Sequence, residues 1–219
     1  MKRLLLTLLL ALVLTLTSAL TSALASTVGT PQDFAALSVR PNGPEELDLA
    51  TGVTTLPEGG EIVYRTAGVT LTGSYIRFLE GDFIEVRGAS VTGAFGVLEA
   101  PELRFEVQTQ RLVAQGATFL GEVVELHADT AELELEENVA VLSGSVTSTD
   151  PELSGERALV DLTGQQALLV GPYTFRNGPV ALRGGAGKLL ALHWDAAGAL
   201  AAETQIPAVL KMRFADRLP

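Results

Sequence analysis

Apolar and polar residues alternate with a period of two along most of this 219-residue chain, and short turns rich in Gly, Asn and Asp interrupt the alternation. Successive side chains of a strand point to opposite faces, so this pattern predicts half-buried β-strands joined as antiparallel hairpins. In "YIRFLEGDFIEVRG", Ile76 and Phe78 share one side, Glu80-Gly81-Asp82 turns, and Ile84 and Val86 resume the alternation. "ELRFEVQTQRLV" sets Leu103, Phe105 and Val107 against Arg104, Glu106 and Gln108. In "AELELEENVAVLSGSV", Leu133 and Leu135 precede the turn Glu136-Glu137-Asn138, and Val139 and Val141 are expected to continue their apolar row. "ALVDLTGQQALLVG" repeats the form with Val160 and Leu162 before a turn at Thr163-Gly164-Gln165. Near the end, "VLKMRFAD" predicts a strand with Leu210, Met212 and Phe214 against Lys211 and Arg213. The Ala-rich stretch 196–204 is the one candidate helix. Gly198 interrupts it, and "HWDAAGALAAE" is better taken as strand, turn at Asp195–Gly198, strand.

A hydrophobe-x-Gly punctuation recurs at Gly73, Gly93, Gly116, Gly144 and Gly171. Each interval holds a pair of strands, which suggests related hairpins stacked along one axis. The spacing is too irregular for a tight β-helix. Stacked hairpins with one apolar face must fold over or close, because burying a Leu or Val side chain contributes roughly 1.5–3 kcal/mol. The expected fold is therefore all-β, a sandwich or jellyroll built of stacked antiparallel hairpins.

The amino terminus reads differently. Lys2 and Arg3 precede a Leu-rich run without charge, and Ala23-Leu24-Ala25 fits the small-x-small rule for cleavage before Ser26. Residues 1–25 are thus expected to be a signal peptide, followed by a segment 26–45 and a single β domain over 46–219. The uncharged run is also long enough for an uncleaved anchor. The chain has no cysteine, so disulfides and thiolate chemistry are excluded.

The formal charge of −11 is unevenly spread. Residues 26–172 hold 7 Lys/Arg against 23 Asp/Glu, whereas 173–219 hold 6 against 3. An acidic body argues against nucleic acid, whose affinity rests on phosphate neutralisation.

The chain offers little to catalysis. His127 and Asp129 would share a strand face, but a surface histidine beside a carboxylate is the plainer reading. His193 lies next to Trp194 in a strand-like run. There is no nucleophile elbow, zinc helix motif, phosphate loop or Ca²⁺ loop. The sequence predicts neither enzyme, cofactor nor metal site. The apolar rows then carry the functional question: they are either a filled core or the lining of a groove for an acyl chain. The candidate lining is Ile76, Phe78, Ile84, Val86, Leu103, Phe105, Val107, Leu133, Leu135, Val139, Val141, Val160 and Leu162.

Residues 128–171 resemble the repeating unit of OstA-like proteins, the family of LptA and of the periplasmic part of LptC. Ala128-Asp129, Leu142-Ser143-Gly144-Ser145-Val146, Thr149-Asp150-Pro151 and Ser154-Gly155-Glu156-Arg157 follow the unit in order. "GVTLTGSYIRF" (68–78) and "ELDLATGVTTL" (46–56) are weaker echoes, and 94–127 does not follow the unit cleanly. The resemblance implies an open, twisted β-jellyroll in the periplasm that carries lipopolysaccharide acyl chains and joins end to end by strand addition. Implied partners are lipopolysaccharide or a related lipid, other OstA-like Lpt proteins, or a second copy. The strand expected to carry Lys211 and Arg213 is the candidate partner edge, because opposite charges at the two ends would steer head-to-tail encounter. The rival reading is a structural or adhesive envelope protein with a closed β core and no ligand.

Overall fold

The computed structural model describes residues 37–121, 124–163, 165–194 and 199–218. The expected signal peptide, Gly164 of the expected turn and the turn at Asp195–Gly198 lie outside the described residues.

The chain runs through β1 (Leu37–Pro41), β2 (Glu46–Leu47), β3 (Thr54–Leu56), β4 (Gly60–Tyr64), β5 (Val69–Gly73) and β6 (Tyr75–Leu79). Six long strands follow: β7 (Phe83–Gly93), β8 (Gly96–Glu106), β9 (Arg111–Leu120), β10 (Glu125–Glu134), β11 (Val139–Thr149) and β12 (Glu152–Asp161). Then come β13 (Gln166–Val170), β14 (Tyr173–Asn177), β15 (Val180–Gly184), β16 (Leu189–Trp194), β17 (Leu200–Glu203) and a short helix α1 (Ala208–Arg213). The strands form a 17-stranded sheet, antiparallel at each pairing described, such as β7 with β8 and β10 with β11.

Most of the long strands change sides partway. In β7, Ile84 and Val86 are buried before Gly88, and Ala89 and Val91 after it. β9 buries Leu112 and Ala114, then Ala117 and Phe119. The register slips between His127 and Thr130 in β10, and between Ser143 and Val146 in β11. Both slips come from one extra residue in β11 around Gly144 and Ser145, which has no counterpart in β10 or β12 and bends the strand there. At Gly116 the bend demands φ +62°, a left-handed conformation that costs other residues roughly 1–2 kcal/mol.

These changes of side and the β11 bulge line up as a crease. One half of each long strand belongs to one layer, and the other half to a second layer folded back over it. β5 and β6 pair separately with the two halves of β7, and β13 and β14 do the same with β12. The recurrent glycines of the sequence mark this geometry. Gly116 and Gly144 lie on the crease, Gly73 and Gly171 at the breaks after β5 and β13, and Gly93 in the β7–β8 turn.

The layers meet through apolar side chains. Tyr64 of one layer packs edge-to-face on Phe105 of the other, with ring centroids 5.3 Å apart. Phe78, Ile84, Phe105, Leu112, Leu133, Ala140, Val160 and Ala167 stand directly opposite one another across successive ladders, an unbroken interior row. The fold is an open, all-β jellyroll of antiparallel hairpins: alternation predicts the hairpins, and the OstA-like resemblance implies the open jellyroll.

Other expectations are corrected. β1 pairs with β4 from Leu37 to Pro41, so the sheet reaches back into the segment 26–45. The expected strand over "VLKMRFAD" is α1. Lys211 and Arg213 therefore lie on a helix, and Met212 is exposed where strand alternation would bury it. Leu210 and Phe214 are the buried pair, at the i, i+4 spacing of one helical face. Pro207 at the amino-terminal cap supplies φ −56° without needing an N–H, and Lys211 and Arg213 in the last turn suit the negative end of the helix dipole.

Candidate apolar ligand site

The structure puts Ile76, Phe78, Ile84, Val86, Leu103, Phe105, Leu133 and Val160 in the interior. Val107, Leu135 and Leu162 are half-buried against the same core. Val139 and Val141 do not join them. Leu133 pairs with Ala140, while Val139 stands opposite Glu134 and Val141 opposite Glu132. Val139 and Val141 thus lie on the outer face, where Val139 packs with Leu159, Leu168, Ala191, Leu210 and Phe214. The loop between β10 and β11 pairs an odd-numbered with an even-numbered position, so alternation that continues in the sequence changes face in space.

α1 and the turn after it cover that outer patch. Arg213 reaches Asp161 at 3.6 Å and donates to the carbonyl oxygens of Glu137 and Asn138. Arg217 donates to the carboxylates of Glu134 and, at 2.7 Å, Glu137, while its own carbonyl oxygen accepts from Arg157 at 2.7 Å. Arg213 is therefore occupied within the molecule, on the hairpin that carries Val139.

The two layers part at the lips opposite the crease. There Phe95, Phe119, Val160, Leu162 and Trp194 line a cleft of about 340 Å³, with Asp161, Thr163 and Gln165 at its rim. Phe95 and Phe119 stack with ring centroids 6.4 Å apart. Phe95 sits in the turn where Gly93 faces Gly96, and its ring lies 2.5 Å from where a Cβ on residue 93 would stand. Gly93 is what lets that ring lie flat on the turn. The cleft's size falls within the roughly 300–1,000 Å³ usual for ligand pockets. Of its apolar lining, the sequence indicated Val160 and Leu162. Phe95, Phe119 and Trp194 were missed, because only the folding of one layer over the other brings them together; an aromatic between two glycines was the available signal for Phe95.

The outer face of the first layer carries charge instead. Glu85 sits between Arg77 and Arg104, at 3.4 and 2.5 Å, and both arginines lie over the Phe83 ring. Arg111 donates to Glu132 at 2.6 Å, and this hydrogen bond holds the Glu132 carboxyl below its ordinary range against the opposing effect of burial. His127 meets Glu125 at 3.1 Å and Thr118 Oγ1 at 3.1 Å, not Asp129, because the register slip after His127 turns Asp129 aside. His193 lies on the strand ladder opposite Gln166.

Fold and lining together define an open β-jellyroll whose apolar interior reaches solvent between its lips. The chain aligns with the crystal structure of LptH from Pseudomonas aeruginosa, the LptA-homologous periplasmic component of a lipopolysaccharide transport device. The match has 14% identity, covers 78% of this chain and 95% of that one, and has a TM-score of 0.26. No protein-family model and no curated protein sequence matches the chain.

Proposed function

We propose that the chain is an exported, periplasmic lipid-binding protein of the cell envelope. It takes an acyl chain of lipopolysaccharide or a related lipid between its two layers and passes it on. The observation that carries this reading is the unbroken apolar row that continues into a solvent-open cleft lined by Phe95, Phe119 and Trp194. Each methylene buried there would contribute about 0.8 kcal/mol. The protein does no chemistry on its ligand.

End-to-end assembly, with itself or with OstA-like proteins, is part of the same proposal. β1 and β2 at one end, and β15 and β17 at the other, each pair on one side only among the described residues. Such edges accept a further strand. Lys211 and Arg213, on α1, are not part of either edge.

One observation favours the structural alternative. The middle of the interior is filled, with Phe105, Leu133 and Leu142 at 0% exposure, so a carrier must part its layers to admit a chain beyond the lips. Native mass spectrometry of the exported chain separates the two readings. Bound lipid that Phe119→Glu removes from a still-folded chain supports the carrier. A ligand-free mass, with no uptake of offered envelope lipids, leaves the structural reading.

A further inference from the structure

The carboxy-terminal section holds six cations, and they divide cleanly. Arg176 pairs with Glu152, Arg213 with Asp161, and Arg217 with Glu134 and Glu137. Arg183, Lys188 and Lys211 have no ion pair or side-chain hydrogen bond among the described residues, and all of them line one cleft of about 750 Å³. Arg183 comes from β15, Lys188 from the turn before β16, and Lys211 from α1, so elements distant in sequence converge there. No carboxylate is among the described lining residues. Thr204 and Gln205 add neutral donors, and Gly184, Gly185 and Gly187 leave room beside the backbone.

Like charges gathered without counter-charges repel one another, and the arrangement is relieved when an anion enters. Arg offers a fork of donors and Lys a point charge, the pair of modes by which phosphate is usually held. The cleft is not wholly polar: Leu189 and Ile206 line it, and so does Tyr173, which also belongs to the interior core. A phosphate held by the cations would therefore have apolar surface beside it for the first atoms of an acyl chain.

We propose that the Arg183–Lys188–Lys211 cleft binds the phosphate of an anionic lipid headgroup. This rests on the lipid-binding reading above and gives that lipid its polar anchor. Lys211, which the sequence placed on a partner-binding strand, acts here on the ligand.

Calorimetry with short-chain phosphatidic acid, short-chain phosphatidylcholine and inorganic phosphate, each below its aggregation concentration, tests the proposal. The chain should bind phosphatidic acid in preference to phosphatidylcholine. Arg183→Gln/Lys188→Gln/Lys211→Gln should weaken phosphatidic acid binding at least ~10-fold. The charge-matched control Arg40→Gln/Arg65→Gln/Arg87→Gln should leave it near the parent value. Circular dichroism and melting curves confirm that both variants fold.

Equal weakening by the control overturns the site in favour of diffuse electrostatics. Inorganic phosphate binding as tightly as phosphatidic acid overturns the headgroup assignment. Uptake of an uncharged monoacylglycerol separates this proposal from the interior reading: if the cleft variant keeps that uptake and also keeps its phosphatidic acid affinity, the cleft fails and the interior stands. Cleft-dependent phosphatidic acid binding without monoacylglycerol uptake sinks the interior reading and leaves the cleft.

Discussion

Leu133 and Val139 flank one tight hairpin yet face opposite sides of the sheet: Leu133 is buried between the two layers, and Val139 lies beneath Leu210 and Phe214 of the carboxy-terminal segment. The hairpin therefore serves two cores at once. Leu133→Ala should cost about 2–5 kcal/mol of global stability, read from denaturant midpoints, because it hollows the interior. Val139→Asp should instead loosen the carboxy-terminal segment, with faster proteolytic clipping after residue 205 and a smaller loss of global stability. Equal effects of both changes on clipping would show that the two cores are not separate.

Phe214 is fully buried although it lies close to the carboxy terminus. Phe214→Ala should cost about 3–5 kcal/mol. Hydrogen exchange should locate the change at β11, β12, β13 and β16 around Val139, Leu159, Leu168 and Ala191. A loss spread evenly over both layers would contradict the assignment of Phe214 to the outer patch.

Trp194 is the single tryptophan of the chain and lines the lip cleft. An acyl ligand seated there should blue-shift and brighten its fluorescence, since it displaces water from beside the indole. Phe95→Glu should abolish the response while leaving circular dichroism unchanged. A ligand that binds without altering Trp194 sits elsewhere.

The Arg111–Glu132 hydrogen bond sets a pH dependence. The Glu132 carboxyl is depressed in the folded state, so its contribution is fully present above the ordinary carboxylate value of 4.5 and is lost as pH falls through the lower folded value. Both side chains are over a third exposed, which makes the effect small. Glu132→Gln should flatten the acid limb of the stability curve while leaving the neutral region nearly unchanged. A parallel displacement of the whole curve would point to another cause.

Gly116 adopts φ +62° at the crease. Gly116→Val should destabilise the fold by more than about 1 kcal/mol, through the left-handed conformation of a β-branched residue. Thermal melting checks this; an unchanged midpoint would mean that the crease can move to a neighbouring residue.

The sequence alone determined most of the strands and the interior facing along the stretches between their bends. Ile76 with Phe78, and Leu103 with Phe105, follow directly from alternation, because a strand's period is a local property of the backbone. It determined much less between strands. Whether Val139 continues the row of Leu133 depends on the pairing parity that the loop imposes. Whether Leu210, Met212 and Phe214 form a strand or a helix depended on what Leu210 and Phe214 could bury themselves against. That surface exists only after β11, β12, β13 and β16 have assembled, and it selected helical spacing over the alternation that the same letters also allow. The lip cleft of Phe95, Phe119 and Trp194 and the basic cleft of Arg183, Lys188 and Lys211 are likewise tertiary. Each joins side chains from separate elements, which no local period encodes and which the folding of one layer over the other brings within reach.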